Sequence, residues 1–157
     1  MTPNVIILAA GKGSRMKSNI PKVLHSIAGE PMLHRVIKTA AQLAPEEMHL
    51  VLGHGIDQIE ASLSALDGPL NTVLQAEQLG TGHAVKIALA HVPDDGVSLV
   101  LYGDVPLITH DTLAECVAAA QLGHLSIVTA EFSDPAQLGR IARNEAGYIE
   151  AIIEYKD

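Results

Sequence analysis

The chain carries one cysteine and no tryptophan in 157 residues, and aromatic residues of all kinds make up only 3% of it. The lone thiol, Cys116, cannot close an internal disulfide. That excludes the disulfide-stapled secreted class and predicts a cytoplasmic protein. With so few aromatic rings, Val, Ile, Leu and Ala must pack the core. No apolar run reaches the roughly 20 residues of a membrane span, and no signal peptide precedes the first apolar stretch, so no membrane partner is expected. Basic residues are scarce as well: ten Lys and Arg face eighteen Asp and Glu, a net charge of −8. An acidic body argues against nucleic acid as a partner.

Several chemistries lack their residues. None of the eight histidines has a second histidine at i+2 or i+4, so no histidine metal motif is present. No Ser-His-Asp order stands out, and Cys116 lies in an apolar, helix-like setting rather than beside a base. There is no internal repeat and no low-complexity linker. Nor is there a run of hexapeptides of the kind that builds a left-handed parallel β-helix.

What is present is unevenly placed. Residues 1–40 hold six of the ten bases and one acid, a local charge of +5, against −13 for the rest. That segment contains Val5-Ile6-Ile7-Leu8, a short buried strand by its β-branched content, followed by Ala9-Ala10-Gly11-Lys12-Gly13-Ser14-Arg15-Met16 and closed by Pro21-Lys22. Small residues let the backbone approach a ligand, and successive loop N–H groups can cradle phosphate oxygens. The loop is not a P-loop, because Gly13 separates Lys12 from Ser14. It is not a dinucleotide fingerprint either, because Met16 stands where the third glycine belongs.

Downstream, apolar spacing predicts a helix from Met32 to about Ala44, ended by Pro45, and a strand over Met48–Leu52. A helix over Ile56–Ala65 and a strand over Asn71–Leu74 follow. Thr81 is expected to cap a helix running to about Ala90. Val97–Tyr102 is the most apolar strand and is expected at the sheet centre. Leu113–Ala120 reads as a helix and Leu125–Ala130 as a fifth strand. Arg140–Arg143 and Ile149–Ile153 read as a hairpin about Glu145-Ala146-Gly147. Alternating strands and helices predict an α/β fold, Rossmann-like, with a mostly parallel sheet covered on both faces. In such sheets ligands bind at the carboxyl ends of the strands.

Two further segments fall at such ends. Gln75 opens Gln75-Ala76-Glu77-Gln78-Leu79-Gly80-Thr81-Gly82-His83-Ala84. Its amide could read a uracil edge together with backbone groups, although alone it is more simply a solvated loop amide. Tyr102-Gly103-Asp104-Val105-Pro106-Leu107 puts Asp104 at a strand end, with Gly103 leaving room for a ligand beside it. A single carboxylate assisted by substrate phosphates is how Mg²⁺ is usually held. The plainer alternative is an aspartate capping the next helix or stabilising a turn. Gly139 could pass a backbone N–H to a ligand and Glu154 could take sugar hydroxyls, or each could be ordinary surface.

The glycine-rich loop resembles the signature of the sugar nucleotidyltransferase superfamily. Its order with Pro21-Lys22-Val23-Leu24-His25, Gln75 to Ala84, Tyr102 to Leu107, Gly139-Arg140-Ile141 and Glu154-Tyr155-Lys156-Asp157 is similar to the uridyltransferase half of the bacterial bifunctional N-acetylglucosamine-1-phosphate uridyltransferases/glucosamine-1-phosphate acetyltransferases. The resemblance implies uridylyl transfer from UTP to N-acetylglucosamine-1-phosphate, with Mg²⁺ as cofactor, in cell-wall precursor synthesis. It implies that Leu8, Ala9, Ala10 and Gly11 contact the nucleotide and that Gln75, Gly80 and Thr81 hold the uridine. Tyr102 and Gly103 would line the sugar side, Asp104 would hold Mg²⁺, and Gly139 and Glu154 would contact N-acetylglucosamine. Arg15 and Lys22 would bind the triphosphate and serve catalysis.

The sequence departs from that family in two ways. Leu138 replaces the usual tyrosine before Gly139. The expected Ile-Asn-Thr-Gly segment, a later metal-sharing asparagine and the β-helical acetyltransferase domain do not occur in these residues. The resemblance therefore describes a partial nucleotidyltransferase domain over 1–157, an N-terminal, C-terminally truncated fragment. The parent's homotrimer would be owed to the missing domain. Thymidylyl-, cytidylyl- or guanylyl-transfer, and a non-catalytic nucleotide-sugar-binding module, are the alternatives.

Overall fold

The computed structural model describes residues 2–13, 16–66 and 68–154. They fall into two compact units, divided after Ser126. The first is built on a four-stranded sheet of β1 (Asn4–Leu8), β4 (Met48–Leu52), β5 (Leu70–Leu74) and β6 (Ser98–Tyr102). The strand order is β5-β4-β1-β6, and every pairing is parallel. A small antiparallel pair, β2 (Ser26–Ile27) and β3 (Glu30–Pro31), follows a 3₁₀ turn at Lys22–Leu24. The helices are α1 (Met32–Ala41), α2 (Ile56–Leu63), α3 (Thr81–Leu89) and α4 (His110–Gln121).

Strand side chains alternate between faces, and β1 shows both faces covered. Val5, Ile7 and Ala9 join the cluster that contains Leu33, Val36, Ile37 and Ala40 of α1, Ile59 of α2 and Leu113 of α4. Ile6, Leu8 and Ala10 join Ala84 and Ala88 of α3 in a second cluster. The expected two-sided α/β sheet is therefore present. Burying each large aliphatic side chain contributes about 1.5–3 kcal/mol, so this core does not need the missing aromatics.

Four expectations are corrected. The strand at 98–102 lies at an edge of the sheet rather than its centre. Leu101 is buried, while Val100 and Tyr102 are 38% and 51% exposed. Apolar content reports what a strand can bury, not how many neighbours it has; β1 and β4 are the central pair. Residues 125–130 take no regular structure. A strand exists only through a ladder to a neighbour, and an apolar run specifies no partner. Thr81 is the first residue of α3 rather than its cap: Gly80 is the N-cap, and no side chain caps this end. Finally α1 stops at Ala41, with Gln42, Leu43 and Ala44 in tightening turns before Pro45, because a residue preceding proline disfavours helix.

The second unit contains the expected hairpin, β7 (Arg140–Arg143) with β8 (Ile149–Ile153), antiparallel with an irregularity at Ala142/Arg143. Asn144 and Gly147 close its turn: Gly147 N–H donates to Asn144 O at 2.9 Å, and Gly147 takes φ +85°.

Candidate functional site

The chain runs outward from β1 through β4 to β5, then crosses back to place β6 on the other side of β1. The strand order thus reverses beside β1, and an open α/β sheet has its crevice at the carboxyl ends of the strands there. A cavity of about 540 Å³ opens at this place. Three loops converge on it, each from the end of a different strand.

The first loop supplies Leu8, Ala9, Ala10, Gly11 and Gly13, with Lys22 beyond it. Arg15 and Ser14 lie outside the described residues. Gly13 has φ +58°, and a Cβ there would come within 2.7 Å of Lys22 Cβ. Gly55, at φ +73°, similarly leaves space for Pro21, whose Cγ would lie 2.5 Å from an added Cβ. Two glycines from separate loops therefore seat the Pro21-Lys22 corner. The lysine side chain ends on Asp104: Nζ donates to Oδ2 at 2.5 Å.

Asp104 follows β6 and lines the cavity with Tyr102. The capping alternative does not hold, because α4 is capped by Thr109, whose Oγ1 accepts from Thr112 N–H at 3.3 Å. Gly103 lies between these two lining residues. Its N–H donates to Leu8 O at 2.9 Å. A Cβ would meet Leu33 Cδ1 at 3.1 Å and Leu8 O at 3.3 Å. The glycine lets β6 close on β1.

The third loop follows β5. Gln75 is only 3% exposed, so it is not a solvated amide. Its N–H donates to Leu52 O at 2.7 Å. Its Nε2 donates to Gly80 O at 3.2 Å and meets His83 Nδ1 at 3.1 Å. Gln78 Nε2 donates to Gln75 O at 3.2 Å. Gly80 holds φ +98°, and a Cβ there would meet nothing within 4 Å. Gln75, Gln78, Gly80 and Thr81 all line the cavity. Gln78, His83 and Gly13 were not singled out from the sequence as site residues. All three lie inside the motifs quoted, but their contacts depend on how each loop folds back, which spacing does not report.

A divalent cation fits one feature of this geometry. An ammonium already sits on the Asp104 carboxylate, where a metal ion would be drawn by the same charge. No cluster of three or more His, Cys, Asp or Glu side chains suited to a metal occurs among the described residues. A cation at Asp104 would therefore complete its shell with waters and phosphate oxygens, as Mg²⁺ does.

Gly139 and Glu154 belong to the second unit and lie close together. A Cβ on Gly139 would fall 3.6 Å from both Glu154 carboxylate oxygens and 3.2 Å from Ile152 Cγ2. Tyr155, Lys156 and Asp157 lie outside the described residues. No helix among the described residues is long and apolar enough to cross a membrane.

Comparison with known proteins agrees with this architecture. The family described as the MobA-like NTP transferase domain matches residues 5–153. Over its full length the chain is 56% identical to the bifunctional protein GlmU of Marinobacter nauticus, and 53% identical to that of Pseudomonas aeruginosa strain LESB58. It spans 34% of each of those proteins, about a third of their length. Among solved structures, HddC from Yersinia pseudotuberculosis aligns with a TM-score of 0.73 at 23% identity, over 97% of this chain and 69% of that one. A manganese complex of Rv0371c from Mycobacterium tuberculosis H37Rv aligns with a TM-score of 0.64 at 23% identity, over 78% of this chain and 61% of that one. At those identities the solved structures support the fold.

Proposed function

The chain belongs to the MobA-like NTP transferase domain family, and from that premise we propose that it transfers a uridylyl group from UTP to N-acetylglucosamine-1-phosphate. The products are UDP-N-acetylglucosamine and pyrophosphate. One observation carries the reading: Lys22, Asp104, the Leu8–Gly11 backbone and the Gln75–Thr81 loop line a single cavity at the switch point of the sheet. The similarity to GlmU proteins over the whole chain supports nucleotidyl transfer to a sugar phosphate, and the choice of uridine and N-acetylglucosamine rests on the resemblance of the sequence motifs.

In this reading the backbone from Leu8 to Gly11 lies along the nucleotide, and Gln75, Gly80 and Thr81 hold the base. Tyr102 flanks the sugar side. Gly139 and Glu154 are assigned to the N-acetylglucosamine, and Arg15 to the triphosphate with Lys22. A phosphate oxygen of the sugar phosphate attacks the α-phosphorus of UTP in line; the bond to the β-phosphate bridging oxygen breaks and pyrophosphate leaves. The nucleophile is already an anion, so no general base is needed. Catalysis rests on positioning and on positive charge set where negative charge grows. Lys22 supplies that charge as a compact ammonium. Mg²⁺ held by Asp104 would add charge neutralisation on the phosphate oxygens.

The test is calorimetric binding of UTP, dTTP, CTP, GTP and UDP-N-acetylglucosamine in Mg²⁺ buffer, followed by pyrophosphate release with N-acetylglucosamine-1-phosphate. Tightest binding of uridine ligands, with release, supports the proposal. Preference for another base moves the assignment to a different nucleotidyltransferase. Uridine binding without release makes this chain a nucleotide-sugar-binding module.

A further inference from the structure

The hydrogen bonding of Gln75 leaves one atom unspoken for. Its backbone N–H is given to Leu52 O, and its backbone oxygen accepts from Gln78 Nε2. Its amide nitrogen carries two hydrogens and no acceptor capacity. Gly80 O takes one at 3.2 Å, and His83 Nδ1 faces the same nitrogen at 3.1 Å. An amide nitrogen can only donate, so Nδ1 must accept. The ring is then neutral, with its proton on Nε2. Only Oε1 remains, and it has no partner among the described residues although Gln75 is almost fully buried and lines the cavity.

We propose that His83 is a positioning residue that fixes the Gln75 amide with its oxygen as the one group offered to a ligand, so that the cavity selects a pyrimidine bearing hydrogen on N3. This rests on the nucleotide-binding reading above. Rotating the amide by half a turn would set its oxygen against Gly80 O, an acceptor–acceptor contact in a buried place, and would need the other tautomer of His83, with the proton on Nδ1. With both hydrogens held, Gln75 cannot donate. Uracil and thymine present N3–H to the free oxygen, whereas cytosine presents a lone pair there. An acceptor that a ligand covers with a lone pair loses its bond to water and gains repulsion, which is how a site rejects a near-isostere. Gly80 alone would leave one amide hydrogen free to meet cytosine; His83 removes that option.

The experiment compares UTP, dTTP and CTP binding to the unsubstituted chain, His83→Ala and His83→Asn, all in the same Mg²⁺ buffer. The chain is expected to prefer UTP and dTTP over CTP. In His83→Ala the UTP-to-CTP affinity ratio falls by about tenfold or more, the worth of one hydrogen bond. His83→Asn, whose Oδ1 can take the place of the ring acceptor, restores most of it. A His83→Ala ratio equal to that of the unsubstituted chain, or no recovery in His83→Asn, overturns the role of His83 while leaving uridine binding intact. A chain with no preference for UTP over CTP overturns both. The tautomer is read separately on the unsubstituted chain by ¹⁵N NMR of the imidazoles, with His83 assigned by its loss in His83→Asn. An Nε2–H tautomer is expected, and an Nδ1–H tautomer overturns the proposal even if His83→Ala loosens the fold.

Discussion

Lys22 Nζ rests 2.5 Å from Asp104 Oδ2, across 82 residues of sequence. The pair is partly exposed, with side-chain accessibilities of 41% and 28%. An ion pair in contact with water contributes roughly 0–1 kcal/mol to stability. Its residues should therefore matter far more to chemistry than to folding. Lys22→Ala is expected to lower pyrophosphate release by about a hundredfold or more, as loss of an aimed charge does. Its thermal midpoint should move by only about 2 °C or less. A midpoint that collapses in step with turnover would make Lys22 a structural residue.

The same contact makes the lysine a competitor for any cation at Asp104. Without nucleotide, Lys22→Ala should bind Mn²⁺ roughly three- to tenfold more tightly than the unsubstituted chain, because the carboxylate is no longer neutralised. Asp104→Asn should abolish that binding. Titration followed by the free-Mn²⁺ electron paramagnetic resonance signal reads both. Mn²⁺ binding that persists in Asp104→Asn would move the metal away from this residue.

Glycines 13 and 55 hold the corner that carries Lys22. An alanine at Gly55 meets Pro21 Cγ at 2.5 Å and must adopt φ +73°. Strain of this kind costs about 1–3 kcal/mol, a shift of several degrees in thermal midpoint. Gly13→Ala pushes on the lysine stem instead, with Lys22 Cβ at 2.7 Å from the new carbon. UTP affinity should fall by about tenfold as the ammonium moves, which corresponds to the loss of one well-placed charged contact. Gly147→Ala is the control. It has φ +85° but nothing within 4 Å, so it should cost about 1 kcal/mol and leave UTP binding unchanged. Equal UTP affinities for Gly13→Ala and Gly147→Ala would contradict this account.

The two-sided sheet was legible because β1 is an apolar run and β4 one interrupted only by His49, both between turn residues, and because α1 repeats its apolar positions at helical spacing. The site was legible as three loops, since each follows a strand end. What the sequence did not report is which strand neighbours which. Val97–Tyr102 reads as central by composition, yet Val100 faces outward at 38% exposure. Residues 125–130 have the composition of a strand but no ladder. Cross-loop contacts were equally hidden. Nothing in Gly13 predicts that Lys22 packs against it, and nothing in Gly103 predicts that Leu33 does. His83 looked like an unremarkable helix residue because its partner, Gln75, lies eight residues back across a loop.

Two buried imidazoles, His34 and His49, are expected to make the fold sensitive to acid. His34 donates from Nε2 to Ser62 Oγ at 3.2 Å, the direction required because Ser62 Oγ itself donates to Ile59 O at 2.7 Å. His49 lies 3.6 Å from a Glu47 carboxylate oxygen, but its buried Nδ1 has no hydrogen-bond partner among the described residues. Burial lowers the pKa of both below the ordinary 6.5, outweighing the opposite pull of Glu30 on His34 and of Glu47 on His49. The unfolded chain therefore binds more protons than the folded one just below that value. The histidine contribution to stability is intact above about pH 6.5 and is lost as pH falls through it towards the folded values. Glu30, lowered chiefly by its hydrogen bond from Lys38, adds loss only below its ordinary 4.5. The urea midpoint should thus drop between pH 7.5 and pH 5.5, before any carboxylate in this set titrates. His49→Leu removes one of the two titrations together with the unpaired nitrogen, so it should flatten that drop while leaving the pH 7.5 midpoint equal or higher. An unchanged slope in His49→Leu would show that the acid sensitivity arises elsewhere.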